Sequence, residues 1–166
     1  MDFGADARRA LRMAVVEPEQ TDALRLVHGA SDGWPGWYVE KLGCQLLSQS
    51  ELPLDEEQQA WLLQSGNTAY HKRLSRQVRG STNADASPQL VFGEGAPDRF
   101  ACQENGVKVE LSFDEGYSVG LFLDQRDNRR RLLIGHVAAG FPLFQSQIAN
   151  RKSQILNCFA YTCGFS

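Results

Sequence analysis

Apolar residues recur at helical spacing over residues 6–16, where Ala10, Leu11, Ala14 and Val15 stand among Arg8, Arg9 and Arg12. Glu17-Pro18 closes the run, so a short lead-in helix is expected there. Leu24-Arg25-Leu26-Val27 then leads into a loop punctuated by Gly29, Gly33, Pro35 and Gly36. Residues 37–42 alternate at the two-residue period of a strand, and Gly43 turns the chain toward a second strand over 45–49. Asp55, Glu56 and Glu57 precede Trp61, Leu62 and Leu63, the arrangement of a helix with acids at its positive end, and Ser65-Gly66-Asn67 stops it. A further strand is expected over 70–74. Residues 75–87, rich in Arg, Gly, Ser, Thr and Asn, have no apolar period and read as a loop. The clearest local signal is a hairpin: residues 99–104 and 107–113 alternate around Asn105-Gly106, a pair suited to the positive φ angles of a two-residue turn.

Composition narrows the class. A chain of 166 residues with 42% hydrophobic content can build a real core. Its 17 basic and 20 acidic residues give a net charge of only -3, so any contact with nucleic acid must be local rather than the work of a global basic field. Cys44, Cys102, Cys158 and Cys163 lack the paired spacing of a metal site, and His28, His71 and His136 are scattered. No metal is therefore expected, and the cysteines read as reduced thiols of a cytoplasmic protein. Neither an export signal nor an apolar run of membrane-spanning length is visible.

Two segments carry candidate chemistry. Gly120-Leu121-Phe122-Leu123 runs into Asp124-Gln125-Arg126, where Asp124 is placed to cap a helix continuing over 128–138 with Leu132, Leu133 and Val137 on its buried side. Backbone N–H groups at such a start, beside Gln125 and Arg126, suit a ligand carboxylate. The residues alone more readily allow a plain cap with Arg126 and residues 129–131 facing water. The second segment, 155–166, begins as a short buried strand and ends in a small-residue turn, the form in which a doubly wound domain brings its backbone to a nucleotide-like ligand. An ordinary strand and turn fits it too. Gly93-Glu94-Gly95, followed by Ala96-Pro97-Asp98, reads as a turn and not as a phosphate cradle.

Taken together, Gly120-Leu121-Phe122-Leu123-Asp124-Gln125-Arg126 and Leu156-Asn157-Cys158-Phe159-Ala160-Tyr161-Thr162-Cys163-Gly164-Phe165 resemble the G-x-[FY]-[LY]-D-Q-R and L-N-x-F-[SA]-Y-T-G-G-F pair of the large-subunit ribosomal RNA cytosine-5 methyltransferases. Residues 29–36, Gly-Ala-Ser-Asp-Gly-Trp-Pro-Gly, resemble the G-E-S-D-G-L-P-G loop of the same family. The resemblance implies a small α+β amino-terminal domain over 1–115, followed over 116–166 by the start of an α/β, Rossmann-like class I methyltransferase domain, incomplete here. It implies S-adenosylmethionine as cofactor and ribosomal RNA as partner. Phe122, Asp124, Gln125 and Arg126 would line the methionine end of the cofactor, while Phe159, Tyr161, Thr162 and Gly164 would form its first loop. Cys163 departs from the family's glycine at a place where a side chain restricts positive φ. The family's nucleophilic cysteine is expected beyond Ser166, so no catalytic residue is assigned and the fragment is expected to be inactive alone. A guanine-N7 branch shares a Gly-Leu-Phe-Leu-Asp segment, which keeps the target atom open.

A reading of another class makes residues 1–115 a non-catalytic RNA-binding module. Lys72, Arg73, Arg76 and Arg79, with Tyr70, would form a local patch to contact phosphates and stack a base, against the plainer expectation of a solvated loop. A nucleotide-binding protein unrelated to methylation has only the final turn in its favour.

Overall fold

The computed structural model describes residues 5–74, 87–114 and 118–142. The chain divides into two compact units, Met1–Val119 and Gly120–Ser166.

The first unit is organised by a five-stranded mixed sheet. Its strands are β1 (Ala23–His28), β2 (Trp37–Leu42), β3 (Gln45–Ser50), β4 (Ala69–Arg73) and β5 (Gln89–Phe92), in sequential order across the sheet. All neighbours are antiparallel except β3 and β4, which run parallel. A parallel pair needs a crossover, and helix α2 (Glu56–Ser65) provides it. The α2 start is a capping box: Asp55 Oδ1 accepts from Gln58 N at 2.8 Å, while Gln58 Oε1 accepts from Asp55 N at 3.1 Å.

The core lies on the side of the sheet that α2 covers. Leu24, Leu26, Val27, Trp37, Val39, Leu46 and Ala69 pack with Leu62 of α2. The pairing of β1 with β2 slips between Arg25 and Val27, so Leu26 is an extra residue in β1. That bulge lets two adjacent residues, Leu26 and Val27, both join the core, which strict alternation forbids. Trp37 anchors the cluster, with edge-on contacts to Trp34 at 4.8 Å and Trp61 at 5.4 Å between ring centroids. On the other face, Arg25 binds Glu40 of β2 through its Nε at 3.2 Å, and Tyr70 packs on Phe113.

Helix α1 (Ala5–Ala14) precedes the sheet, and the hairpin of β6 (Phe100–Glu104) and β7 (Val107–Leu111) follows it. Asn105 and Gly106 have φ of 51° and 80°, the two positive values a tight hairpin turn requires. The hairpin is tied back to the approach to β1. Asp22 N donates to Gln103 O at 2.9 Å, Gln103 N to Asp22 Oδ1 at 2.6 Å, and Gly106 N to Gln20 O at 2.9 Å.

In the second unit, a 3₁₀ turn (Leu123–Gln125) runs into α3 (Arg126–Ile134), followed by the short strands β8 (His136–Ala138) and β9 (Phe141–Pro142). The helix is shorter than expected from sequence. Gly135, at φ 70°, ends it in the left-handed conformation that glycine adopts without strain, and 136–138 are extended. Leu133 and Val137 are exposed rather than buried, while Leu132 is half-buried.

Candidate functional site

The loop over 29–36 is a 3₁₀ turn (Gly29–Asp32) followed by Gly33, Trp34, Pro35 and Gly36. Its aspartate does structural work. Asp32 is buried; its Oδ2 accepts from His28 N at 2.6 Å and its Oδ1 from Arg12 Nη2 at 2.7 Å. Burial disfavours the charged carboxylate, but the Arg12 hydrogen bond and the His28 N–H outweigh it and hold Asp32 below the ordinary carboxylate value. Arg12 Nη1 also reaches Leu26 O at 3.2 Å, and Arg8 donates to Ser31 O, so α1 is fastened to the loop by two arginines. Gly29 and Gly33 take φ of 58° and 83°. The part that Arg12 plays is hidden in sequence, where it is one of three basic residues standing among the apolar positions of the helix.

Gly120 enters the second unit at φ 109°, a backbone state open to glycine. Leu121 is buried and Phe122 is 52% exposed. Asp124 does not cap the helix: it lies inside the 3₁₀ turn, and Gln125 occupies the N-cap position without a side-chain cap bond. The reason is local, since Gln125 N already bonds to Phe122 O at 3.1 Å and winds the chain one turn early. Asp124 Oδ2 instead accepts from Gln125 Nε2 at 3.1 Å, and Gln125 Oε1 from Asn128 Nδ2 at 2.9 Å. Arg126 Nε stands 3.8 Å from Asp127 Oδ1. Of the neighbouring arginines, Arg129 is buried rather than solvated, and its Nη2 donates to Phe122 O at 2.8 Å. Phe122, Asp124, Gln125 and Arg126 thus lie within five residues around one helix start, with Arg129 bonded to the Phe122 carbonyl.

Phe159, Tyr161, Thr162 and Gly164 lie outside the described residues, as do Arg76 and Arg79. Among the described residues of the basic and aromatic patch expected around β4, Tyr70 and Lys72 do not share a face with Arg73. Strand alternation sends Tyr70 and Lys72 to one face and Arg73 to the other. Tyr70 is buried, its hydroxyl accepting from Ala96 N at 2.6 Å, and Lys72 is buried as well. Burial lowers the Lys72 pKa, opposite to what a solvated phosphate-binding lysine would show. Among the described residues no group of three or more His, Cys, Asp and Glu is placed to hold a metal ion, and no helix is long and apolar enough to cross a membrane.

With this geometry in place, known proteins give it a context. No protein-family profile matches the chain. It is 32% identical over 160 residues to ribosomal RNA large subunit methyltransferase I of Vibrio cholerae, a match covering 93% of this chain and 37% of that protein. The Photobacterium profundum protein of the same name is 30% identical over 168 residues, covering 96% and 38%. The Escherichia coli O139:H28 protein is 29% identical over 157 residues, covering 92% and 36%. The chain is homologous to the amino-terminal part of these enzymes and spans a little over a third of their length. Among solved structures, a protein assigned as a methyltransferase and complexed with SAH superimposes with a TM-score of 0.61 at 22% identity, over 84% of this chain and 38% of that one. A SAM-dependent methyltransferase assignment from Streptococcus mutans gives 0.59 at 21%, over 83% and 38%. These structural likenesses establish a shared fold.

Proposed function

We propose that the chain is the amino-terminal portion of an S-adenosylmethionine-dependent methyltransferase acting on a base of large-subunit ribosomal RNA, with C5 of cytosine as the target. The observation that carries this reading is a homology running through both units, over 93% of the chain, to enzymes named as large-subunit ribosomal RNA methyltransferases; the cytosine target rests on the resemblance of the 29–36 loop. The first unit then serves as an RNA-facing domain, and the second begins the cofactor-binding domain.

The donor set at the α3 start fits the methionine end of the cofactor. Asp124 offers an exposed carboxylate to an ammonium group. Arg126 offers a guanidinium to a carboxylate, reinforced by the positive end of the helix dipole. Phe122 supplies an exposed aromatic surface. Arg129, by holding the Phe122 carbonyl, fixes the turn from which these side chains project. When bound, the cofactor supplies an electrophilic methyl group on a sulfonium; the chain's own residues bind and orient it. Phe159, Tyr161, Thr162 and Gly164 are proposed as the first cofactor loop.

Calorimetry with S-adenosylmethionine tests the assignment on two proteins: this chain, and a chimera joining it to the remaining two-thirds of the Vibrio cholerae relative. Binding by the chimera, weakened at least tenfold by Asp124→Ala, is expected. A chimera that folds and methylates nothing while binding no cofactor would remove the reading.

A further inference from the structure

Gln125 stands between Asp124 and Arg126 at the α3 start, yet both ends of its side-chain amide are engaged within the chain. Its Nε2 donates to Asp124 Oδ2 at 3.1 Å, and its Oε1 accepts from Asn128 Nδ2 at 2.9 Å. Asn128 Oδ1 in turn accepts from Arg131 Nη1 at 3.4 Å. Residues 125, 128 and 131 are spaced by three, so their side chains stand in a row along one side of the helix.

The row has a direction. A guanidinium can only donate and an ionised carboxylate can only accept, whereas an amide does both from opposite ends. Arg131 obliges Asn128 to present its oxygen to the arginine and its Nδ2 to Gln125. Gln125 must then offer Oε1 to Asn128, which leaves Nε2 for Asp124, the acceptor that closes the row. Either amide turned over would set donor against donor at one contact and acceptor against acceptor at the other. Among the described residues nothing else holds the Asp124 carboxylate, so one of its oxygens is tied and the other stays open.

We infer that Gln125 and Asn128 are positioning residues, set in orientation by Arg131, that hold the Asp124 carboxylate with one oxygen fixed and the other left for the ammonium group of the cofactor. This rests on the methyltransferase reading above and deepens it: Gln125, expected from sequence to line the cofactor, acts through Asp124. An exposed carboxylate without such a hold samples several rotamers, and fixing it beforehand reduces the entropy lost when a ligand binds.

Two measurements test this. In the isotope-labelled 166-residue chain, NMR of the side-chain amides reads the row directly. Arg131 does not touch Gln125, so Arg131→Leu should shift the Gln125 amide signals only by releasing Asn128, whereas Arg130→Leu, which removes the same charge from an exposed neighbour, should leave them in place. Unmoved Gln125 signals in Arg131→Leu, or equal shifts in both variants, would overturn the row. In the chimera, calorimetry compares S-adenosylhomocysteine, which carries the amino-acid end, with 5′-methylthioadenosine, which lacks it. Asn128→Asp keeps an acceptor for Arg131 but cannot donate to Gln125, so it should weaken S-adenosylhomocysteine about fivefold, as should Gln125→Leu, and leave methylthioadenosine unchanged. A merely structural role predicts otherwise, because an acid in the first turn of α3 suits the helix dipole and steadies the helix start. Equal losses for the two ligands, or no loss of S-adenosylhomocysteine, would overturn the positioning role. A chimera that binds neither ligand removes the methyltransferase reading and the positioning role with it, while the amide signals of the 166-residue chain decide the row by themselves.

Discussion

Arg12 and Asp32 meet at 2.7 Å across twenty residues of sequence, and through them α1 is latched to the turn that opens the 29–36 loop. Asp32 also receives the His28 N–H, so the carboxylate organises the loop from within.

Replacing Asp32 by Asn keeps the size of the side chain but removes the charge that Arg12 binds. A loss of about 1.5–3 kcal/mol in urea unfolding at pH 7 is expected, the value of a hydrogen bond to a charged group. Because the folded Asp32 is held below 3.8, its contribution is complete above that pH and is lost as the pH falls through the lower folded value. The parent and Asp32→Asn proteins should therefore converge in stability in strong acid.

His71 gives a dependence at milder pH. Its folded pKa lies below the ordinary 6.5, so the unfolded chain takes up a proton first as the pH falls. Stability is full above about pH 6.5 and declines as the pH drops through the depressed folded value. Thermal unfolding followed from pH 7.5 downward should show this decline in the parent and a shallower one in His71→Gln. Identical slopes would mean that His71 titrates alike in both states.

Two glycines separate backbone preference from crowding. Gly93 has φ 89°, and a Cβ there would lie 2.3 Å from Asn67 O; Gly106 has φ 80° with nothing within 4 Å. Gly106→Ala should cost about 1 kcal/mol, the ordinary penalty of that conformation. Gly93→Ala should cost clearly more, about 3 kcal/mol, since the backbone must also move. Equal midpoints for the two variants would contradict the close approach of β5 to the turn before β4.

Arg129→Leu tests the bracing of the α3 start. Removing the donor to Phe122 O should weaken cofactor binding by the chimera several-fold while leaving the unfolding of the first unit unchanged. An unaltered affinity would make Arg129 a packing residue only.

Much of the first unit was legible in the sequence because its signals are local: the Asn105-Gly106 turn, the acids at the α2 start and the alternation of β2 each depend on a few adjacent residues. What escaped depends on partners distant in sequence. Strand β5 follows a loop without periodicity, and only pairing with β4 defines it. Arg129 reads as a solvated charge, and Arg12 as one of three helix arginines, until their acceptors, Phe122 O and Asp32, are seen beside them. Tyr70, Lys72 and Arg73 look like one basic patch in a linear reading, but a strand places alternate residues on opposite faces. The helix-start residues Phe122, Asp124, Gln125 and Arg126 are recognisable because they fall within one short segment, although the cap that sequence assigned to Asp124 falls elsewhere.

The bonds joining Gln20 and Asp22 to Gly106 and Gln103 bear on synthesis as well as stability. A ribosome releases the sheet strands in spatial order from β1 to β5, so most pairings can form as the chain emerges. The segment leading into β1 gains these partners only once the hairpin has emerged, more than eighty residues later, and stays open to wrong partners during that interval. A pause that holds the hairpin inside the ribosome would lengthen that exposure, whereas one placed after the hairpin has emerged would favour correct closure.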